Sequence, residues 1–237
     1  MDTLTAFSII ALAALIHASF QLSVSMMTLL SGHAIGKKVA GRRIAHLVFS
    51  FLTGTVAMTL LIVSFISFLS ISLLRHGAPP IVWSVLAGAM IGMGMVVWIF
   101  YYRHGKGTTL WIPRSLAHFL EDRIAATKSG AEAFSLGLTG VFAEIIFITA
   151  PATAAAFALV HLPTNYQIVG VALYTLIASL GAIIVAILVG SGHHISEIQQ
   201  WRAHNRRFLQ FVAGSSLIIL GFYLYVNEVI TPVILIS

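Results

Sequence analysis

The sequence predicts an all-α polytopic membrane protein with six transmembrane helices in two inverted three-helix repeats. Three observations carry this. Of the 237 residues 59% are hydrophobic and only 8% are charged, whereas a soluble domain carries about 25% charged residues. The apolar residues fall into separate runs, several reaching the roughly 20 residues that cross a hydrocarbon core. The basic residues crowd into alternate connections between those runs.

The six runs are 4–30, 44–74, 81–102, 133–159, 168–189 and 208–226. None has the two-residue alternation of a barrel strand. The first lacks a basic leader and a small-residue cleavage site, so it reads as a retained span.

Lys37, Lys38, Arg42 and Arg43 lie between spans one and two. Arg103, Lys106, Arg114, Arg123 and Lys128 lie between three and four, and Arg202, Arg206 and Arg207 between five and six. Of the 13 lysines and arginines only Arg75 lies in another connection. Five or seven spans would divide these basic connections between both faces. With six, the positive-inside rule puts them in the cytoplasm and both termini outside. The expected location is a bacterial or archaeal cytoplasmic membrane.

The link 103–132 separates the first repeat, 1–102, from the second, 133–237. In it Ile112, Leu116, Phe119, Leu120 and Ile124 recur at helical spacing, and Pro113 suits a first turn. This predicts a short amphipathic helix at the membrane surface or packed on the bundle. His193, His194 and His204 have no compact ligand spacing and read as a solvated helical face. Met26, Met27, Met90, Met93 and Met95 read as packing residues. Trp83, Trp98 and Trp111 read as interfacial belts.

The halves resemble each other. Ala6-Phe7-Ser8 opens span one and Ala133-Phe134-Ser135 opens span four, about 127 residues later. In this register His17 falls opposite Glu144, and Val24 opposite Pro151. Val85-Leu86-Ala87-Gly88 with Gly94 in span three matches Phe211-Val212-Ala213-Gly214 with Gly221 in span six. Glycine and alanine there let helices approach closely. Three spans per half invert the second copy. Inverted repeats with interrupted helices point to secondary transporters, with the site near midplane.

Spans one and four, at about 27 residues, are longer than a straight crossing requires, so each should be kinked or interrupted. In span four the expected hinge is Pro151, which removes a helix hydrogen bond and frees the carbonyl of Phe147. In span one Ser23 and Ser25 flank the matching position. An ionisable residue inside a span marks a functional site by default. His17, Gln21 and Glu144 are therefore the candidates for substrate binding or proton coupling, His17 and Gln21 sharing one helix face. His17 and Glu144 are expected to pair. Such a pair can exchange protons near neutral pH or offer nitrogen and oxygen to a divalent metal. A structural hydrogen-bonded pair is the other reading.

The six spans in inverted halves, the long polar link, the long first and fourth spans and the glycine-spaced third and sixth resemble the LysE superfamily. That group includes amino-acid exporters, nickel/cobalt and other metal exporters, and CcdA-like thiol-electron transporters. FSLGLTGVFAEIIFITAP, from Phe134 to Pro151, is similar to the CcdA-like fourth span, where a Pro-Cys pair is expected. Here Ala152 follows Pro151, and the chain has no cysteine. Thiol chemistry is therefore not carried over. The His-x-x-x-x-Asp-His signature of nickel/cobalt permeases and the Pro-Gly-Pro start of amino-acid exporters are also absent. The resemblance implies transport and leaves the substrate open.

The expectation is a secondary transporter, exporting a small solute or a divalent cation as substrate, with no resident cofactor and no enzymatic activity. No P-loop or catalytic triad is legible. The partners expected are the lipid bilayer and the solute or cation. The class allows a homodimer and requires no nucleic acid. The alternatives are a cysteine-free CcdA-like component acting with a thiol-bearing partner, or a channel.

Overall fold

A computed structural model describes residues 1–20, 22–36, 41–74, 77–101, 114–191, 200–201 and 204–231. Gln21, all of residues 102–113 and His193 and His194 lie outside the described residues, as do the side chains of Ser23 and His33. Among the described residues there is no strand.

The first apolar run folds as α1 (Thr3–Ser19) and α2 (Leu22–Gly36). Asp2 caps α1 by accepting from the Thr5 N–H at 3.1 Å, which satisfies one orphan donor of the first turn. The helix α3 (Gly41–Leu73) is one unbroken apolar rod. Pro80 opens α4 (Pro80–Val96), where its missing N–H costs nothing. A π-helical turn, Val97–Tyr101, ends that span.

The link contains α5 (Arg114–Ala126). Its Leu120 and Ile124 are buried with Val24, Met26, Met27 and Ala133. The apolar face therefore packs on the bundle, while Phe119 stays exposed beneath the Arg123 guanidinium.

The helix α6 (Gly130–Ala143) starts in a capping box. Ser129 accepts from the Glu132 N–H, and the Glu132 carboxylate accepts from the N–H groups of Lys128 and Ser129. After it come α7 (Ile145–Val160), α8 (Thr164–Ala178), α9 (Leu180–Gly190) and α10 (Arg206–Tyr225). Another π-helical turn, Val226–Ile230, follows α10.

Four helices are long and apolar enough to cross a membrane, or six spans result if each bent pair counts as one. The long apolar helices are those of an integral membrane protein. One bent pair is α6 and α7, which meet at 76°; the other is α8 and α9, which meet at 53°.

The bend in the opening stretch is not at Pro151. That proline is buried within α7, which continues to Val160. The chain turns about two helical turns earlier, at Glu144, which ends α6 and begins α7 with ψ near zero. A proline forfeits one helix hydrogen bond, yet α7 is continuous through it. The second bend, at Ser179, was not expected. Trp83 also departs from the interfacial reading: it is buried and packs edge-on against Phe157 at 5.2 Å.

Contacts fix how the helices run. Phe7 meets Tyr166 and His17 meets Tyr174, so α1 and α8 are parallel. Phe20 meets Phe147, and Ile10 and Leu159 both border Gly170, so α1 and α7 are antiparallel. Gly130 abuts His46 and Ser50, and Gly137 abuts Phe51 and Thr55, which makes α3 and α6 parallel. Gly94 faces Gly214 and Gly221 faces Ala87, which makes α4 and α10 antiparallel.

Candidate functional site at the helix breaks

The interior is divided into two apolar clusters. One contains residues of α1, α4, α7, α8 and α10, with Val63 from the second half of α3. The other contains residues of α2, α5, α6, α9 and the first half of α3. Each interrupted run contributes one half to each cluster: α1 and α2, α7 and α6, α8 and α9. The breaks therefore lie along the boundary between the clusters.

Three buried polar residues stand at the ends of these helices, whereas Thr28 and Ser31 are buried further along α2. His17 is in the last turn of α1, Glu144 is the residue between α6 and α7, and Ser179 is the residue between α8 and α9. All three are nearly inaccessible to solvent. The Ser179 hydroxyl has no hydrogen-bond partner among the described residues. The parallel register of α1 and α8 brings the end of α1 to within a turn of Ser179. Burying polar groups in an apolar interior is costly, so their place at these helix ends is a functional signal.

Glu144 stands at the start of α7. Its carbonyl accepts from the N–H groups of Phe147 and Ile148. The first N–H groups of a helix have no intrahelical acceptor, and its N-terminus carries about half a positive charge. The break thus puts a carboxylate at the positive end of a 16-residue apolar helix.

His17 bonds to a partner that was not anticipated. Its Nδ1 lies 3.0 Å from the hydroxyl of Tyr174 on α8. A phenol can donate to a neutral imidazole nitrogen and accept from an imidazolium N–H. Tyr174 can therefore satisfy Nδ1 in either charge state and leave Nε2 to exchange a proton.

The hydrogen bond shown for His17 is to Tyr174 and not to the expected partner, Glu144. Phe20 is the C-cap of α1 and Phe147 lies in the first turn of α7; their rings stack with centroids 5.4 Å apart and planes 10° from parallel. His17 and Glu144 each precede one of these rings by three residues. Because α1 and α7 are antiparallel, those steps lead in opposite directions. At 1.5 Å per residue the backbone positions of His17 and Glu144 are offset by about 9 Å along the helix axis. Among the described residues there is no group of three or more His, Cys, Asp or Glu that could hold a metal.

No protein family model, curated protein or solved structure matches the chain.

The remaining candidates are peripheral to these contacts. Ser25 is half-buried in α2 and its carbonyl accepts from the Thr28 hydroxyl at 2.8 Å. Phe147 contributes its ring, a role that the freed-carbonyl reading did not contain. A groove of about 470 Å³ runs between α4 and α7, past Val85, Met93 and Ile146. Its hydroxyls, Thr149 and Thr153, donate back to carbonyls of their own helix. The groove therefore offers almost no polar chemistry and is not the candidate site.

Tyr174, Ser179 and Phe20 were missed from the sequence. Phe20 carried a legible signal, since the 127-residue register that matches His17 to Glu144 also matches Phe20 to Phe147. Tyr174 and Ser179 carried none, being single polar atoms in an apolar run.

Proposed function

We propose that this protein is a secondary transporter of a small solute or cation, coupled to protons through His17 and Glu144. The observation that carries the reading is that buried Glu144 and Ser179 stand at the two helix bends and buried His17 in the last turn of α1. Transporters of the inverted-repeat type place their sites near the bilayer midplane, at discontinuous helices whose ends face the substrate or coupling ion.

The reading includes six spans in two inverted halves, with the basic connections cytoplasmic. The four relative helix directions support it, because each is the direction expected of a chain that crosses back and forth six times. The glycine contacts support it as well. A shift of 127 residues, one more than the register that sets Ala87 against Ala213, carries Ala87 onto Gly214 and Gly94 onto Gly221. It therefore exchanges the Gly94–Gly214 contact for the Gly221–Ala87 contact. The paired π-helical turns after α4 and α10 fit the same relation. So does the Phe20–Phe147 stack, in which matched residues touch each other.

Bending at the breaks would move the solute. The 53° bend at Ser179 has no counterpart in the unbroken α3, so the two halves would not move alike. The test is reconstitution into liposomes containing a pH indicator, with amino acids and metal cations supplied in turn. Wild-type protein should couple uptake or release of one of them to a pH change. Glu144→Gln should abolish that coupling while keeping the folded elution profile. Near-normal, pH-dependent transport by Glu144→Gln would remove Glu144 from the mechanism.

A further inference from the structure

The groove between α4 and α7 lies on the outer wall of the bundle. Ile81, Val85 and Ile146 line it and are mostly exposed, while Leu86 and Phe157 line it from buried positions. On α4 the lining runs from Ile81 to Met93, and on α7 from Ile146 to Phe157. The step from Ile81 to Met93 rises about 18 Å. That is close to the depth of one leaflet, half of a hydrocarbon core about 30 Å thick. The groove's hydroxyls need no partner from outside, since Thr149 and Thr153 donate to the carbonyls of Ile145 and Thr149. In a membrane protein such a wall faces lipid tails. Those tails are as apolar as the groove, so no hydrophobic force drives a second protein into it. A helix about 10 Å wide and 18 Å long would occupy about 1,400 Å³, roughly three times the groove's 470 Å³. A helix can lie across this groove but cannot fill it, whereas a single hydrocarbon chain can. A convex helix face touches a lipid chain from one side. The two walls of a groove touch it from several, and dispersion contacts add.

We propose that the groove between α4 and α7 is a binding site for one acyl chain of a membrane phospholipid, which enters from the leaflet opposite the basic connections. The site is separate from the helix breaks and does not depend on transport. Only the choice of leaflet rests on the six-span reading, in which the Pro80 end of α4 and the Val160 end of α7 reach that face. The edge-on contact of Trp83 with Phe157 brings those two ends together. The ester end of the chain then lies beside Ile81 and Phe157, and its methyl end beside Met93 and Ile146.

Photolabelling provides the experiment. The protein is reconstituted into phosphatidylcholine liposomes containing a small fraction of phosphatidylcholine with a diazirine on one acyl chain. Irradiation and mass spectrometry then locate the adducts. Leu61, Phe65 and Phe68, exposed on α3, supply the background of ordinary lipid contact. Adducts per residue in the groove should exceed that background at least fivefold. A diazirine near the ester should mark Ile81 and Phe157, and one near the methyl end Met93 and Ile146. Ala89→Trp puts an indole into the groove from an exposed position. It should reduce the groove adducts to background and leave those on α3 unchanged. If that variant does not fold, Val85→Trp makes the same test. Groove adducts at background level, or adducts that survive the tryptophan, would overturn the proposal. The reverse order of depth would put the chain in the other leaflet and overturn both this assignment and the topology on which it rests. Strong groove labelling of a protein that couples no solute to pH would defeat the transport reading and leave the lipid site standing.

Discussion

The imidazole of His17 and the phenol of Tyr174 meet at 3.0 Å between α1 and α8, with both side chains buried. Interhelical hydrogen bonds in membranes average about 0.6 kcal/mol. Leaving a buried polar atom without a partner costs more, about 1–3 kcal/mol. Tyr174→Phe keeps the ring and strands Nδ1, so the larger figure applies. Thermal unfolding in detergent should show a loss of about 1–3 kcal/mol. The double variant His17→Phe with Tyr174→Phe should lose less than the sum of the two single variants, because it leaves no orphan. Additive losses would mean that the contact contributes nothing. Under the transport reading, Tyr174→Phe should also displace the pH profile of transport, which a purely structural role would leave in place.

The crossing of α3 and α6 gives a second prediction. A Cβ on Gly54 would run into the carbonyl oxygen of Phe134, and one on Gly137 into the carbonyl oxygen of Phe51. Both obstacles are backbone and cannot rotate away. Small residues at such crossings let helices pack by close backbone approach, and overpacking costs about 1–3 kcal/mol. Gly54→Ala and Gly137→Ala should each destabilise by that amount. Gly88 and Gly92 have nothing within 4 Å of an added Cβ, so Gly88→Ala and Gly92→Ala should stay within about 1 kcal/mol of wild type. Equal effects in the two pairs, measured by the same unfolding assay, would rule out the close crossing as their cause.

Much of the helical layout was legible because bilayer thickness fixes the length of an apolar run. Leu120 and Ile124 announced the packed face of α5 by their spacing, and Glu144 stood out because a carboxylate is rare in such a run. What was not legible depends on how helices face one another. The 127-residue register matches His17 to Glu144 and Phe20 to Phe147, and of these two pairs the one seen in contact is Phe20 with Phe147. Tyr174 reads as another core aromatic until α8 is placed against α1. The break at Ser179 has no proline to mark it.

Pro151 gives the last prediction, because its local signal and its actual place disagree. A proline in a helix interior removes one hydrogen bond and crowds the carbonyl four residues back, which suggests a hinge there. The bend is instead at Glu144, and α7 is continuous through Pro151. If Pro151 does not set the bend, Pro151→Ala should preserve it. Paired spin labels can test this without removing any native cysteine, using Thr139→Cys on α6 with Thr153→Cys on α7, both outside the buried core. The label-to-label distance should be the same with proline or alanine at position 151. Stability should change little: alanine restores a hydrogen-bond donor but gives up part of the buried ring, and these effects oppose each other. A longer distance, approaching that of a straight helix, would show that the proline imposes the bend at Glu144 from two turns away. In that case Pro151→Ala would also move the Glu144 carboxylate off the end of α7 and should disturb coupled transport as severely as Glu144→Gln.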